Sequence, residues 1–213
     1  MRDPAAFIRA NTTLARPALV PEFMLYTATE ITPIWQATES WLAEQNLAPP
    51  YWAFPWPGGQ AFARHLLDHP HACAGRRVLD FAAGGGIAAL AAARAGAMHV
   101  TANEIDPLAI AAIGLNAAAN GLAVETLAGD IVGSAGEWDM ILAGDVCYEA
   151  PMTRRILPWL TAMARSAEVW LADPGRAYLP VESLESFASY DVPTTKELED
   201  KTLRRTTLYR LRA

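Results

Sequence analysis

From residue 77 onward, short apolar runs bounded by turn residues alternate with longer segments whose apolar positions recur at helical spacing. The short runs predict strands and the longer segments predict helices. Such alternation is typical of a parallel, doubly wound α/β sheet with right-handed crossovers. The predicted strands are 77–81, 98–103, 124–128, 138–144, 167–172, about 186–192 and about 205–211, and the predicted helices are 87–95, 107–120, 151–165 and 179–185.

The chain before this region has a different pattern. Residues 1–50 are rich in Thr, Ala and Pro and predict an N-terminal extension, within which 33–46 has the pattern of an amphipathic helix. Aromatic, Pro and Gly residues crowd 51–59 and predict a stiff loop, followed by a helix over 60–68. The domain organisation is therefore predicted as an extension, 1–50, packed on one catalytic domain, 51–213.

A loop of small residues follows the strand that carries Asp80. Ala82, Gly84 and Gly86 stand at the spacing D-x-G-x-G-x-G rather than the G-x-G-x-x-G of dinucleotide-binding loops. Small residues let the backbone approach a ligand closely, and the N–H groups that begin the next helix favour an anion. This loop favours S-adenosylmethionine, with the carboxylate of the methionine moiety at the helix and its ammonium group facing Asp80. A glycine-rich turn used only for packing is the alternative.

Acidic residues end the next two predicted strands. Glu104 is placed to accept hydrogen bonds from both ribose hydroxyls, and Asp130 with the backbone of Ile131 is placed to contact the adenine. For Asp130 the alternative is an exposed aspartate in a turn. Ligands of open α/β sheets bind at the carboxyl ends of the strands. With a long polar segment around 194–201 that predicts a closing antiparallel hairpin, this pattern indicates a mainly parallel seven-stranded sheet, the Rossmann-like fold of class I methyltransferases.

The fourth predicted strand ends in Gly-Asp-x-x-Tyr, at the position that faces the transferable methyl group in this fold. Asp145 and Tyr148 are therefore candidates for the acceptor site, with capping of the following helix as the alternative. Trp56 could lie over the cofactor, because aromatic faces stabilise cations such as a sulfonium, and a core tryptophan is the alternative. Arg176 could bind a substrate carboxylate, orient Asp145, or lie in a plain surface turn.

Composition restricts the classes of partner. The net charge of −6 and the absence of a basic run argue against nucleic acid, and no apolar run reaches the length of a membrane span. Two cysteines outside any zinc spacing favour reduced thiols and a cytoplasmic location. His65 and His69 have helical metal-ligand spacing, but no further ligand cluster completes a site, so no metal is predicted.

Four motifs together resemble a known family, the lysine methyltransferases of the electron transfer flavoprotein beta subunit, in their bacterial branch. The similarity covers nearly the whole chain and includes 11–12, 20–22 and 206–207. Two departures from the family pattern are Ala82, where glycine is frequent, and Glu104, where aspartate is common. The motifs are Trp-Pro-Gly-Gly at 56–59, Asn-Glu-Ile-Asp-Pro at 103–107, Gly-Asp-Val-Cys-Tyr at 144–148 and Asp-Pro-Gly-Arg at 173–176.

The resemblance implies a methyltransferase that uses S-adenosylmethionine, releases S-adenosylhomocysteine and methylates protein lysine. It implies that Asp145 and Tyr148 lie at the lysine. It also implies a set of residues near the cofactor, namely Trp56, Gly84, Glu104, Ile131 and Gly144. The expected partner is the electron transfer flavoprotein beta subunit, or a ribosomal stalk protein. Alternatives are a small-molecule amine as acceptor, a non-catalytic nucleoside-binding regulator and a nicotinamide oxidoreductase.

Overall fold

The computed structural model describes residues 3–28, 49–195 and 201–213, and within them nine strands form two sheets. No helix in these ranges is long and apolar enough to cross a membrane. The strands are β1 (Thr13–Ala15), β2 (Leu25–Thr27), β3 (Arg77–Phe81), β4 (His99–Glu104), β5 (Glu125–Ala128), β6 (Met140–Gly144), β7 (Glu168–Asp173), β8 (Leu184–Pro193) and β9 (Leu203–Leu211).

The larger sheet has seven strands in the order β5-β4-β3-β6-β7-β9-β8. The first five are parallel, and β9 pairs antiparallel with both β7 and β8. The predicted fold class and the predicted closing hairpin are therefore confirmed. The chain runs outward from β3 to β5 and then returns to β6 on the other side of β3. This reversal opens a crevice at the carboxyl ends of β3 and β6, where open α/β sheets bind ligands.

Five α-helices accompany the sheets within the described residues; four of them overlap predicted helices, whereas the first, Pro4–Asn11, was not predicted. The helix predicted over 179–185 is wrong. Only a single 3-10 turn, Val181–Ser183, forms there, and β8 begins at Leu184. Pairing of Leu184 with Leu211 draws this segment into the sheet. The helices are α1 (Pro4–Asn11), α2 (Pro57–Asp68), α3 (Ile87–Arg94), α4 (Pro107–Asn120) and α5 (Ala150–Met163).

Neighbouring strand residues point to opposite faces of the sheet, and each face has its own apolar cluster. Val78 faces the side covered by α2 and α3, where it packs in one cluster with Phe62 and Leu90. Leu79 faces the side covered by α5 and belongs to the cluster that contains Leu160. Both sides of the central strands are thus covered, which is why their sequences are continuously apolar.

The described part of the N-terminal extension packs against α4. Ile8 on α1 is fully buried in one cluster with Trp52 and Leu108, and the side chain of Asn116 accepts a hydrogen bond from the Tyr26 amide at 2.8 Å. The helix predicted over 33–46 lies outside the described residues. The division of the chain at residue 50 stays a prediction.

Candidate active site

A cavity of about 480 Å³ lies at the carboxyl ends of the central strands. The segment before α2, the loop after β3, the end of β4 and the loop after β6 supply its described walls. A narrower recess of about 50 Å³ continues inward beneath the glycine-rich loop. The two spaces share five lining residues, which are Trp56, Ala82, Gly84, Gly144 and Asp145. Most of the predicted site residues therefore lie around one continuous space.

The loop after β3 follows the path expected of a ligand-binding turn. Ala82, Gly84 and Gly86 have φ values of +54°, +54° and +79°, all in the left-handed region. Glycine adopts this region without strain, whereas alanine pays about 1–2 kcal/mol, which gives the physical reason for glycine's frequency at the first position. A Cβ at Gly86 would lie 3.1 Å from Ile113 on α4, so glycine there also permits close packing.

Asp80 lines the inner recess and is almost completely buried, with 3% of its surface exposed. Its Oδ2 accepts a hydrogen bond from the Ala89 amide at 2.9 Å, in the first turn of α3. Burial raises the pKa of Asp80 to about 7, and the nearby Glu104 carboxylate adds to the shift. A cation in the recess would stabilise the ionised form. Contact with the cofactor's ammonium group stays a prediction.

Glu104 lines the main cavity and turns back toward the protein backbone. Its Oε1 accepts from the Gly84 amide at 2.8 Å, and its Oε2 accepts from the Ile105 amide at 2.9 Å. Burial raises the pKa of this carboxyl group, and the backbone N–H groups partly offset that effect. Glu104 thereby joins the glycine-rich loop to the end of β4, in addition to its predicted contact with the ribose.

Asp130 and Ile131 lie beyond the described lining of the cavity. Asp130 is exposed at the end of β5 and forms an ion pair with Arg155, which lowers the pKa of the aspartate. Its Oδ1 also accepts from the Val132 amide at 3.0 Å. The side chain of Ile131 is buried in the cluster beneath α5. Their predicted role at the adenine stays a prediction.

Trp56 stands at the entrance to α2 and lines both the cavity and the recess. Its Nε1–H donates to the carbonyl oxygen of Tyr51 at 2.8 Å, which fixes the ring against the preceding 3-10 turn, Tyr51–Ala53. The residue is at the N-cap position but supplies no side-chain cap to the helix. The amide groups of the first turn of α2 must therefore be satisfied from elsewhere.

Asp145 supplies that cap. Its Oδ2 accepts from the Gly58 amide at 2.6 Å and from the Gly59 amide at 3.3 Å, so the carboxylate faces the positive end of α2. Asp145 itself has a φ of +56°, in the left-handed region, and its amide donates to the carbonyl oxygen of Ala172 at 2.9 Å. The sequence indicated Asp145 as an acceptor-site residue, but gave no signal for this contact with the Trp-Pro-Gly-Gly motif.

The same contact explains why glycine occupies position 58. A Cβ there would lie 2.5 Å from Asp145 Oδ2 and 2.7 Å from the carbonyl oxygen of Ala172. Gly144 is similarly close, because its Cβ would lie 3.2 Å from the Gly59 amide nitrogen. The Trp-Pro-Gly-Gly and Gly-Asp-x-x-Tyr motifs, more than eighty residues apart in the chain, can thus pack closely because glycine has no side chain at these contacts.

We expect Gly58→Ala to lower the free energy of unfolding by about 1–3 kcal/mol, because the added methyl group overlaps both oxygens. Gly114→Ala is the matched control: this residue is exposed within α4 with no atom near its Cβ position, so we expect a gain of up to about 1 kcal/mol. Urea denaturation of both variants measures the difference. Equal stabilities would contradict the close fit at Gly58.

Tyr148 lies at the cavity wall, with 38% of its surface exposed. Burial raises the pKa of its phenol to about 12, and Tyr51, Glu149 and Glu104 add to the shift. The hydroxyl group is therefore protonated at neutral pH and can donate a hydrogen bond. Cys147 is buried beside it, and its pKa is likewise raised to about 12, so it remains an unreactive thiol.

The turn after β7 brings one further predicted residue to the cavity. Asp173 accepts hydrogen bonds from the Gly175 and Arg176 amides at 2.7 and 2.6 Å, which holds the turn closed. Arg176 is among the described residues that line the cavity. Tyr51 lines it as well, and was missed as an individual site residue, although the crowding of aromatic residues around it was a signal.

Comparison with known proteins extends these observations. A family model described as ribosomal protein L11 methyltransferase (PrmA) matches residues 65–146. The electron transfer flavoprotein beta subunit lysine methyltransferase of Xenopus laevis is 39% identical over 204 residues, which span 91% of this chain and 81% of the relative. The protein of the same name from Danio rerio is 36% identical over 98% of this chain and 83% of the relative.

Solved structures confirm the fold. Magnesium protoporphyrin IX methyltransferase (ChlM) from Synechocystis PCC 6803, with bound SAM, superposes with a TM-score of 0.54 at 17% identity over 73% of this chain and 80% of the other. The ribosomal protein L11 methylase from Lactobacillus delbrueckii subsp. bulgaricus gives a TM-score of 0.51 at 18% identity, over 73% and 79%. Because these relatives are 36–39% identical over more than 90% of the chain, the chain belongs to the electron transfer flavoprotein beta subunit lysine methyltransferase family. It is a protein-lysine N-methyltransferase that uses S-adenosylmethionine.

Proposed function

We propose that the substrate of this enzyme is a lysine of the electron transfer flavoprotein beta subunit. The observation that carries the proposal is identity of 36–39% to relatives of that name, extending across both the cofactor loop and the acceptor side of the cavity. Asp145, Tyr148 and Arg176 line the cavity, and we assign them to its acceptor side.

The residues present fit S-adenosylmethionine. The cavity is within the volume range of sites for small ligands, and the left-handed loop at Ala82 and Gly84 leaves backbone next to it. The buried carboxyl group of Asp80 and the carboxylate of Glu104 suit a cationic nucleoside. We assign the cofactor to these four residues together with Trp56, Gly86, Asp130, Ile131 and Gly144. When bound, the cofactor supplies an electrophilic methyl group on a positively charged sulfonium.

The protein's own contribution is alignment and electrostatics. Free lysine has a pKa of about 10.4, so its amine must lose a proton before it can act as a nucleophile. The neutral phenol of Tyr148 cannot accept that proton at pH 7, which leaves a water path to solvent. Asp145 attracts the lysine and stabilises the developing methylammonium group. Its charge also opposes deprotonation, and the positive cofactor offsets this opposition. Alignment of the reacting atoms can supply several kcal/mol more.

A ribosomal stalk protein is the second candidate, because the family model of ribosomal protein L11 methyltransferases matches residues 65–146. That match ends before Tyr148 and the turn at 173–176. It therefore covers the cofactor loop and Asp145, and it leaves Tyr148 and Arg176 outside the match. A small-molecule amine lacks any such support. We further propose that the enzyme acts in the cytoplasm, without nucleic acid or membrane partners, and needs no metal.

Intact-mass spectrometry tests the proposed substrate. Purified electron transfer flavoprotein from the organism that encodes this chain is incubated with the enzyme and S-adenosylmethionine, beside parallel reactions with ribosomal protein L11 and a panel of amines. We expect mass steps of one methyl group on the beta subunit alone, located on lysine by peptide sequencing. Methylation of L11 with no change in the flavoprotein would overturn the proposal.

A further inference from the structure

Three aromatic rings stand together at the cavity. The ring centroids of Tyr51 and Tyr148 are 5.8 Å apart and tilted by 56°, and those of Tyr51 and Trp56 are 6.0 Å apart and tilted by 60°. All three residues line the same space as Asp145. Tyr51 is 48% exposed and Tyr148 is 38% exposed, so neither side chain is buried in the core. We call these three residues the aromatic wall.

The aromatic wall is held in place from the backbone. The Trp56 Nε1–H donates to the backbone carbonyl oxygen of Tyr51, which ties the Trp56 ring to the turn that carries Tyr51. Two consecutive prolines precede this turn and restrict the chain. The third ring is carried by the loop after β6, which Asp145 anchors to α2. Little backbone entropy is therefore lost when a ligand binds against these rings.

The charges around the aromatic wall favour a cation. The phenol of Tyr148 has a pKa of about 12 partly because the carboxylates of Glu104 and Glu149 disfavour a second negative charge. The same negative potential attracts a positive group. Aromatic faces bind quaternary ammonium ions in particular, because such ions have no N–H to donate and are weakly hydrated.

We propose that Tyr51, Trp56 and Tyr148 bind the methylated ammonium group of the lysine, so that a partly methylated side chain stays in the cavity between rounds of transfer. The inference rests on the proposed function and names a second property of the same site. In each round the lysine nitrogen loses one proton to solvent and forms a bond to the methyl carbon, while the electron pair of the broken sulfur–carbon bond stays on sulfur. Retention then favours products with more than one methyl group.

Tyr51→Ala tests the aromatic wall with little disturbance, because the Tyr51 carbonyl oxygen that holds Trp56 belongs to the backbone. Tyr51→Phe retains the ring and removes only the hydroxyl. Tyr178→Ala is the matched control, a tyrosine with 47% exposure outside the described lining of the cavity. Two readouts are compared: the distribution of methylation states on the flavoprotein at equal extents of reaction, and the affinity for free trimethyllysine relative to its neutral carbon isostere.

We expect wild type, Tyr51→Phe and Tyr178→Ala to prefer trimethyllysine over the isostere by roughly 5- to 30-fold and to release little monomethyl product. Tyr51→Ala should lose most of that preference and accumulate monomethyl lysine. No preference in the wild type, or an unchanged preference and product distribution in Tyr51→Ala, would overturn the inference. If the wild type does not methylate the flavoprotein, the proposed substrate fails, while the ligand preference still decides whether the aromatic wall binds cations.

Discussion

Replacing Asp145 with asparagine is expected to lower kcat/KM by at least about a hundredfold while leaving the protein folded. Asparagine has nearly the same shape, and its side-chain oxygen can still accept the Gly58 N–H that now lies 2.6 Å from the carboxylate. The negative charge is lost, and with it the attraction of the lysine and the stabilisation of the developing methylammonium group. Steady-state methylation of the flavoprotein, followed by mass spectrometry, measures the loss.

Asp145→Ala separates the two roles of the residue. Alanine removes the charge and also leaves the Gly58 and Gly59 amides without their acceptor. In addition to the fall in kcat/KM, we therefore expect the free energy of unfolding to fall by about 1.5–3 kcal/mol. Asp191→Asn is the control for replacing an aspartate with asparagine, because Asp191 is exposed on β8, and it should leave activity unchanged. If Asp145→Asn kept full activity and only Asp145→Ala lost it, Asp145 would be a cap of α2 rather than a lysine-orienting residue.

The contact between Asp145 and α2 also illustrates the limit of sequence interpretation. Strand ends could be predicted, because each parallel strand ends at the same edge of the sheet and its last residues carry the candidate chemistry. Asp145 and Glu104 were found in this way. Their hydrogen-bond partners were not, since Gly58 is 87 positions from Asp145 and nothing in either motif specifies the other. Only the folded sheet brings them together.

Errors in the prediction have similar physical causes. The local pattern of 179–185 predicted a helix, but pairing of Leu184 with Leu211 on β9 makes the end of this segment a strand, preceded by a single turn. The ion pair of Asp130 with Arg155 could not be predicted either, because Arg155 lies on a helix that begins twenty residues later; the adenine contact of Asp130 stays a prediction. Tertiary contacts of this kind override local pattern.

Glu104 is the second residue for which we expect a large effect. Its two oxygens already accept from the Gly84 and Ile105 amides, yet it also faces the cavity where the ribose is predicted to bind. Replacement by glutamine puts an NH2 group against one of these N–H donors and removes the charge from the ribose contacts. Hydrogen bonds to a charged group contribute about 1.5–3 kcal/mol each, and glutamine retains only one neutral acceptor. Losing one bond and weakening the other predicts a rise in Kd for S-adenosylmethionine of about a hundredfold.

The length of the side chain matters as well as its charge. Glu104→Asp keeps the carboxylate but withdraws it from the Gly84 amide, so we expect an intermediate rise in Kd that reports the value of the bond to the loop. Glu125→Gln, an exposed glutamate on β5, should leave binding unchanged. Calorimetric titration with S-adenosylmethionine and S-adenosylhomocysteine measures all three variants. A Glu104→Gln protein that bound both ligands with the wild-type Kd would show that Glu104 only closes the loop, and the ribose would then have to be held by another residue.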